Sequence, residues 1–85
     1  MSFLSHLIEK IPQILYLIME RLNRIKEILV IQGKTQTWLA GQLGKSREVV
    51  SNYANNNTQP SIKTLRDIAN ILDVDIRELL VSTKP

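Results

Sequence analysis

Residues 47–52, REVVSN, carry four hydrogen-bonding side chains, Arg47, Glu48, Ser51 and Asn52. On a helix the first two lie one turn before the last two and share a side with them, while Val50 faces the other way. These types suit recognition of base edges. Arg can pair through two hydrogen bonds with guanine, Asn can do so with adenine, and Glu can accept from the amino group of cytosine. Arg47 and Glu48 are also neighbours that could satisfy each other as a surface pair worth little. A second group, Thr35, Gln36, Lys45, Ser46 and the run Asn55, Asn56, Asn57, suits a different target. A Gln at the first position of a helix can donate to a phosphate oxygen beside the free backbone N–H groups and the positive end of the helix dipole. The three asparagines can offer amides to phosphate in the same way. They can equally form a turn, because Asn tolerates the left-handed conformation.

Positioning both groups requires two short helices joined by a tight turn at Gly44. Within residues 35–57, Ala40, Gly44 and Val50 stand at the spacing of a helix-turn-helix. The small Ala40 permits a close crossing, Gly44 can take a positive φ at the end of the first of the pair, and Val50 anchors the second to the core. Turn signals at Gly33, Gly44, Asn55–Asn57, Pro60 and around Asp73 divide the chain into five helical stretches, with no alternating strand pattern. The first runs from about Pro12, or later, to Gln32, with Leu15, Ile18, Leu22, Ile25 and Leu29 along one face. Thr35 caps the second, which ends at Leu43, and Ser46 caps the third, which ends near Ala54. Ser61 caps the fourth, with Leu65, Ile68, Ala69 and Leu72 as its apolar stripe. Asp75 caps the fifth, with Glu78 reaching back to it, and Ile76, Leu79 and Leu80 close the core.

Charge is concentrated where these side chains lie. The chain as a whole is +3, but residues 21–66 are +6, residues 67–85 are −2 and residues 1–20 are −1. A basic segment that coincides with the helix pair is what attraction to phosphate requires. Enzyme chemistry finds little support: there is no Cys, His6 stands alone, and no paired carboxylates or Gly-rich phosphate loop are present. No cofactor, metal or small-molecule substrate is therefore expected. The apolar run from Ile14 to Met19 is too short to span a bilayer, and residues 1–18 lack the pattern of a signal peptide, so a cytoplasmic location is expected.

The chain resembles the Cro/phage-repressor (Xre) family of helix-turn-helix domains. The residues that carry the resemblance are Thr35-Gln36, Leu39-Ala40, Gly44-Lys45-Ser46 and Val50, then Pro60-Ser61, Leu65, Ile68-Ala69, Leu72, Val74 and Ile76-Arg77-Glu78-Leu79-Leu80. The resemblance implies an all-α, compact five-helix lambda-repressor-like domain over residues 20–81, with a tail at 82–85. It implies double-stranded DNA as partner, Gln36 gripping the backbone, the third helix in the major groove and a homodimer on an operator. The implied function is a sequence-specific transcriptional regulator, more commonly a repressor. The chain departs from the family pattern in places. Relatives commonly end the third helix with Glu-Asn-Gly and pair that Glu with an Arg on the first helix. Here Ala54 and Leu29 stand at the two positions, an apolar replacement that can be neutral for stability. Trp38 replaces a Glu of the capping box, and its ring can pack against the first helix or lie near the DNA backbone. Tyr53 is expected in the core with its hydroxyl at the rim.

Residues 1–19 form an apolar arm beyond what such a domain needs. Leu4, Leu7, Ile8, Ile11 and Leu15, with Phe3, Ile14 and Ile18, make a helix-spaced stripe. A dimerisation or docking helix, an extended start ahead of Met19, and attachment to a membrane surface are the three readings, the last weakened because Lys10 is the arm's one cation. A competing function follows from the arm: an antitoxin-type module that wraps a toxin partner.

Overall fold

The computed structural model describes residues 21–84. Residues 1–20, and with them the expected contacts of Leu4, Leu7, Ile8, Ile11 and Leu15, lie outside the described residues. Four α-helices follow one another: α1 (Ile25–Ile31), α2 (Gln36–Leu43), α3 (Arg47–Ala54) and α4 (Ile62–Leu72), then a single 3-10 turn at Ile76–Leu79.

Short polar side chains start these helices. Thr35 Oγ1 accepts from the Trp38 amide at 3.0 Å, Ser46 Oγ from Val49 at 3.1 Å and Ser61 Oγ from Thr64 at 3.1 Å. Each such cap satisfies an amide the helix cannot, for about 1 kcal/mol. The ends share one device. The amides of Lys34, Lys45, Asn57 and Val74 bond back to the carbonyls of Leu29, Ala40, Asn52 and Ala69 at 2.9, 3.1, 2.9 and 3.0 Å. Each closure requires a left-handed residue just before it. Gly33 and Gly44 supply it at φ 67° and 68°, and Asn56 and Asp73 supply it at 60° and 55°.

The core is built from one face of each helix. Ile25 and Leu29 of α1, Leu39 of α2, Val50 of α3, Ile68 and Leu72 of α4 and Leu79 of the last turn are all nearly or fully buried. Ala40 and Ala54, also buried, let α2 and α3 pack closely. Leu29 and Ala54 both belong to this cluster.

Two expectations are corrected. The first helix does not run unbroken from residue 12 to residue 32, because residues 21–24 are not helical. Their backbone groups are taken by the end of the chain: Arg24 N–H donates to the Leu79 carbonyl at 2.8 Å, Val81 N–H to the Leu22 carbonyl at 2.9 Å, and Asn23 forms an antiparallel bridge with Leu80. Leu22, expected on the buried stripe, is half exposed as a result. The fifth helix shrinks to one 3-10 turn for the same reason, since Leu80 and Val81 leave it to pair with Leu22 and Asn23. Leu80 consequently faces outward at 44% exposure, and Leu79 closes the core alone on that turn with Ile76 packed beside it. The capping of this turn is as expected: Glu78 Oε2 accepts from the Asp75 amide at 3.1 Å and Asp75 Oδ1 accepts from the Arg77 amide at 2.8 Å.

Candidate nucleic-acid interface

The α2–turn–α3 unit sets the geometry. Gly44 reverses the chain, Val50 pins α3 into the core, and the first turn of α3 is left in solvent. Arg47 and Glu48 are exposed at that start, and Ser51 and Asn52 follow half-buried one turn on. Among the described residues neither Arg47 nor Glu48 forms an ion pair, with the other or with a third residue. Glu48 also gains from the positive end of α3. Ser51 Oγ accepts from Asn55 Nδ2 at 3.3 Å and Asn52 Oδ1 accepts from Asn57 Nδ2 at 3.4 Å. Both are long, weak bonds that a better partner can displace.

Gln36 is the first residue of α2, and its neighbours form a cleft lined by Lys26, Leu29, Val30, Lys34, Thr35, Gln36, Thr37 and Arg47. This cleft joins α1, the loop before α2, the N-terminus of α2 and the first residue of α3. It therefore brings Gln36 and Arg47 together across the turn. The lining, among the described residues, holds three cations and no acid. Among the described residues no carboxylate lies within ion-pair distance of Lys26, Lys34, Lys45 or Arg47. No acid among the described residues compensates the positive charge of the cleft, and the free amides of α2 add to it. Thr35 and Ser46 spend an oxygen lone pair on their caps and keep the hydroxyl proton available to donate. Lys45 is exposed in the turn between them.

Asn55, Asn56 and Asn57 separate. Asn55 and Asn57 are exposed, with Asn55 Oδ1 3.5 Å from Lys26 Nζ. Asn56, expected among the phosphate contacts, has its side-chain amide engaged within the fold. Its Oδ1 accepts from Leu22 N, Asn23 N and Gln59 Nε2 at 2.9, 3.0 and 3.0 Å, and its Nδ2 donates to the Asn23 carbonyl at 3.2 Å. Asn23, 1% exposed, is the other half of this lock. Its Nδ2 donates to the Tyr53 carbonyl at 2.9 Å and to Gln59 Oε1 at 2.8 Å, and its Oδ1 accepts from the Ile25 amide at 3.1 Å. No buried polar side-chain atom among the described residues is left without a partner.

Sequence reasoning missed Lys26 and Lys34 as site residues. Both were visible in the charge of residues 21–66, but nothing in the spacing placed them beside Gln36. It also missed Asn23, whose Nδ2 donates to partners 30 and 36 residues away. Trp38 is half-buried against the core, and Lys34 Nζ sits 4.3 Å from the centre of its ring. Tyr53 likewise packs against the core. Among the described residues no three metal-ligating side chains come together, and no helix is long and apolar enough to cross a membrane.

Four helices whose second and third members pack across a Gly turn, with a cationic cleft that runs from the start of α2 to the first residue of α3, define a helix-turn-helix domain. The chain belongs to the Cro/phage-repressor-like helix-turn-helix family, whose model matches residues 25–79. Among solved structures it is similar to a protein from Bacteroides fragilis provisionally described as DNA-binding. The two share 43% identity and superpose with a TM-score of 0.70, over 71% of this chain and 97% of the other. No curated protein matches the chain.

Proposed function

We propose that this chain is a sequence-specific DNA-binding transcriptional regulator, a repressor in sense, that binds an operator as a homodimer with α3 in the major groove. The observation that carries the reading is the cationic cleft at the start of α2, which no acid among the described residues lines, continuous with the exposed first turn of α3. The cleft suits a backbone phosphate, and a phosphate held there sets α3 against the base edges. The family and the description of the Bacteroides fragilis protein support the same reading.

In this arrangement Gln36, Thr35, Ser46, Lys45, Asn55 and Asn57 serve the backbone and contribute affinity without sequence information. Arg47 and Asn52 read guanine and adenine, Ser51 flanks them, and Glu48 accepts from cytosine or repels other bases. An eight-residue α3 spans only a few base pairs. Two copies on half-sites about 34 Å apart supply the discrimination that one lacks.

Selection from random duplexes tests the proposal. The expected result is an enriched, half-palindromic site bound by two chains at moderate salt. A pool with no enriched sequence would overturn it. Placing the enriched site at a reporter promoter then tests the sense of regulation, with falling output expected and rising output reversing the assignment.

A further inference from the structure

We propose that Trp38 is a positioning residue that holds Lys34 ready for a backbone phosphate. The inference rests on the DNA-binding reading and deepens it.

Both ends of the Lys34 side chain are located before any ligand arrives. Its backbone is fixed by the closure at the end of α1, where the Lys34 amide donates to the Leu29 carbonyl at 2.9 Å. Its ammonium is fixed over the Trp38 ring, 4.3 Å from the centroid. The ring is itself held, half-buried against the core. A free lysine stem samples many rotamers and must give them up to make a contact. Lys34 has given up most of that freedom on folding. The nature of the partner matters as much as the restraint. A carboxylate at this distance would hold the ammonium and also cancel its charge. The π-face attracts the cation electrostatically but takes none of its charge, and it leaves N–H donors pointing away from the ring. Lys26, which also lines the cleft, follows the same pattern, with its Nζ 3.5 Å from the neutral Asn55 Oδ1. Two cations thus line the cleft at the N-terminus of α2, and among the described residues no acid lines it to compete with phosphate.

The test compares the unaltered chain with Lys34→Gln, Trp38→Leu, Trp38→Phe and the Lys34→Gln/Trp38→Leu pair on the enriched duplex and on an unrelated one. Lys34→Gln is expected to weaken both duplexes about fivefold and to lower the slope of log affinity against log salt by about one. Trp38→Leu is expected to weaken binding about threefold with the slope retained, and to cost nothing further once Lys34 is Gln. Trp38→Phe, which keeps a π-face, is expected to restore binding to within about twofold. In the free protein the Lys34 ε-methylene protons are expected upfield from the ring current, returning to ordinary positions in Trp38→Leu. Should that variant fail to fold, the Trp38→Phe spectrum and the Lys34→Gln slope carry the test.

A Trp38→Leu loss of equal size with and without Lys34 overturns the proposal, as does an unchanged slope in Lys34→Gln. If the unaltered chain binds no duplex while the methylene protons stay upfield, the DNA reading fails and takes the inference with it.

Discussion

The start and the end of α3 carry similar polar side chains and treat them in opposite ways. At the start, Arg47 and Glu48 stand in solvent, and the weak bonds that Ser51 and Asn52 accept leave most of their capacity free. Past the end, Asn56 gives its amide to four hydrogen bonds that tie α3 to the chain entering α1. The difference lies in the backbone around them. Inside a helix the main chain satisfies itself and the side chain is released to a ligand. Where two non-helical segments cross, unpaired amides compete for any side-chain oxygen, and Asn56 is recruited by Leu22 and Asn23. Availability for recognition is therefore set by what the neighbouring backbone lacks, more than by residue type.

Breaking the lock should produce the largest effect. Asn56→Ala strands the Leu22 and Asn23 amides and replaces an Asn, which tolerates φ 60°, with a residue that does so less readily, so a loss of about 3 kcal/mol is expected in urea unfolding. Asn56→Gly sharpens the point by restoring the backbone but not the bonds, and about half the loss should remain. Equal losses in the two variants would assign the whole effect to the amide. At the other end of α3, Arg47→Ala should leave the unfolding midpoint in place while relaxing preference at one base position by about 1–3 kcal/mol, read by competition among single-base variants of the enriched site. A stability loss there instead would make Arg47 part of the fold.

Gly44→Ala probes the hinge between the two helices. An added Cβ meets nothing within 4 Å, so the cost is that of φ 68° alone, about 1 kcal/mol by thermal unfolding. The smallest effect belongs to the exposed Asp75. The Arg77 side chain, and then its backbone amide, hold the Asp75 carboxyl below its ordinary value of 3.8. A depressed carboxyl stabilises above its unfolded pKa and loses that contribution as pH falls through the folded one. Asp75→Asn should therefore melt slightly below the unaltered chain at neutral pH, with the gap closing in acid. A gap that widens in acid would reverse the sign.

Much of the fold was legible because its signals are local. Thr35, Ser46 and Ser61 cap the helices they precede, Gly33 and Gly44 take the positive φ their positions demand, and Leu65, Ile68, Ala69 and Leu72 line one buried face. The start of α1 was not legible. A continuous apolar period through Leu15, Ile18 and Leu22 reads as one helix, and nothing near Asn23 announces that Leu79, Leu80 and Val81 will claim the backbone there. The same limit applied to the site. Arg47, Glu48, Ser51 and Asn52 could be placed on one side of α3 by counting, whereas Lys26 and Lys34 become neighbours of Gln36 only when α1 packs against the rest.

Sequence by itself determined the helix boundaries at Thr35, Gly44, Ser46 and Ser61, the buried faces and the polar side of α3, because caps, positive-φ residues and 3.6-residue periodicity act within a few residues. Tertiary structure alone decided three matters: that Asn56 is locked to Asn23, that the last helix is cut to one turn, and that Lys34 rests on Trp38 inside a cationic cleft. Each depends on which unpaired backbone group or charged head meets which side chain once distant segments close together. No local pattern encodes that meeting.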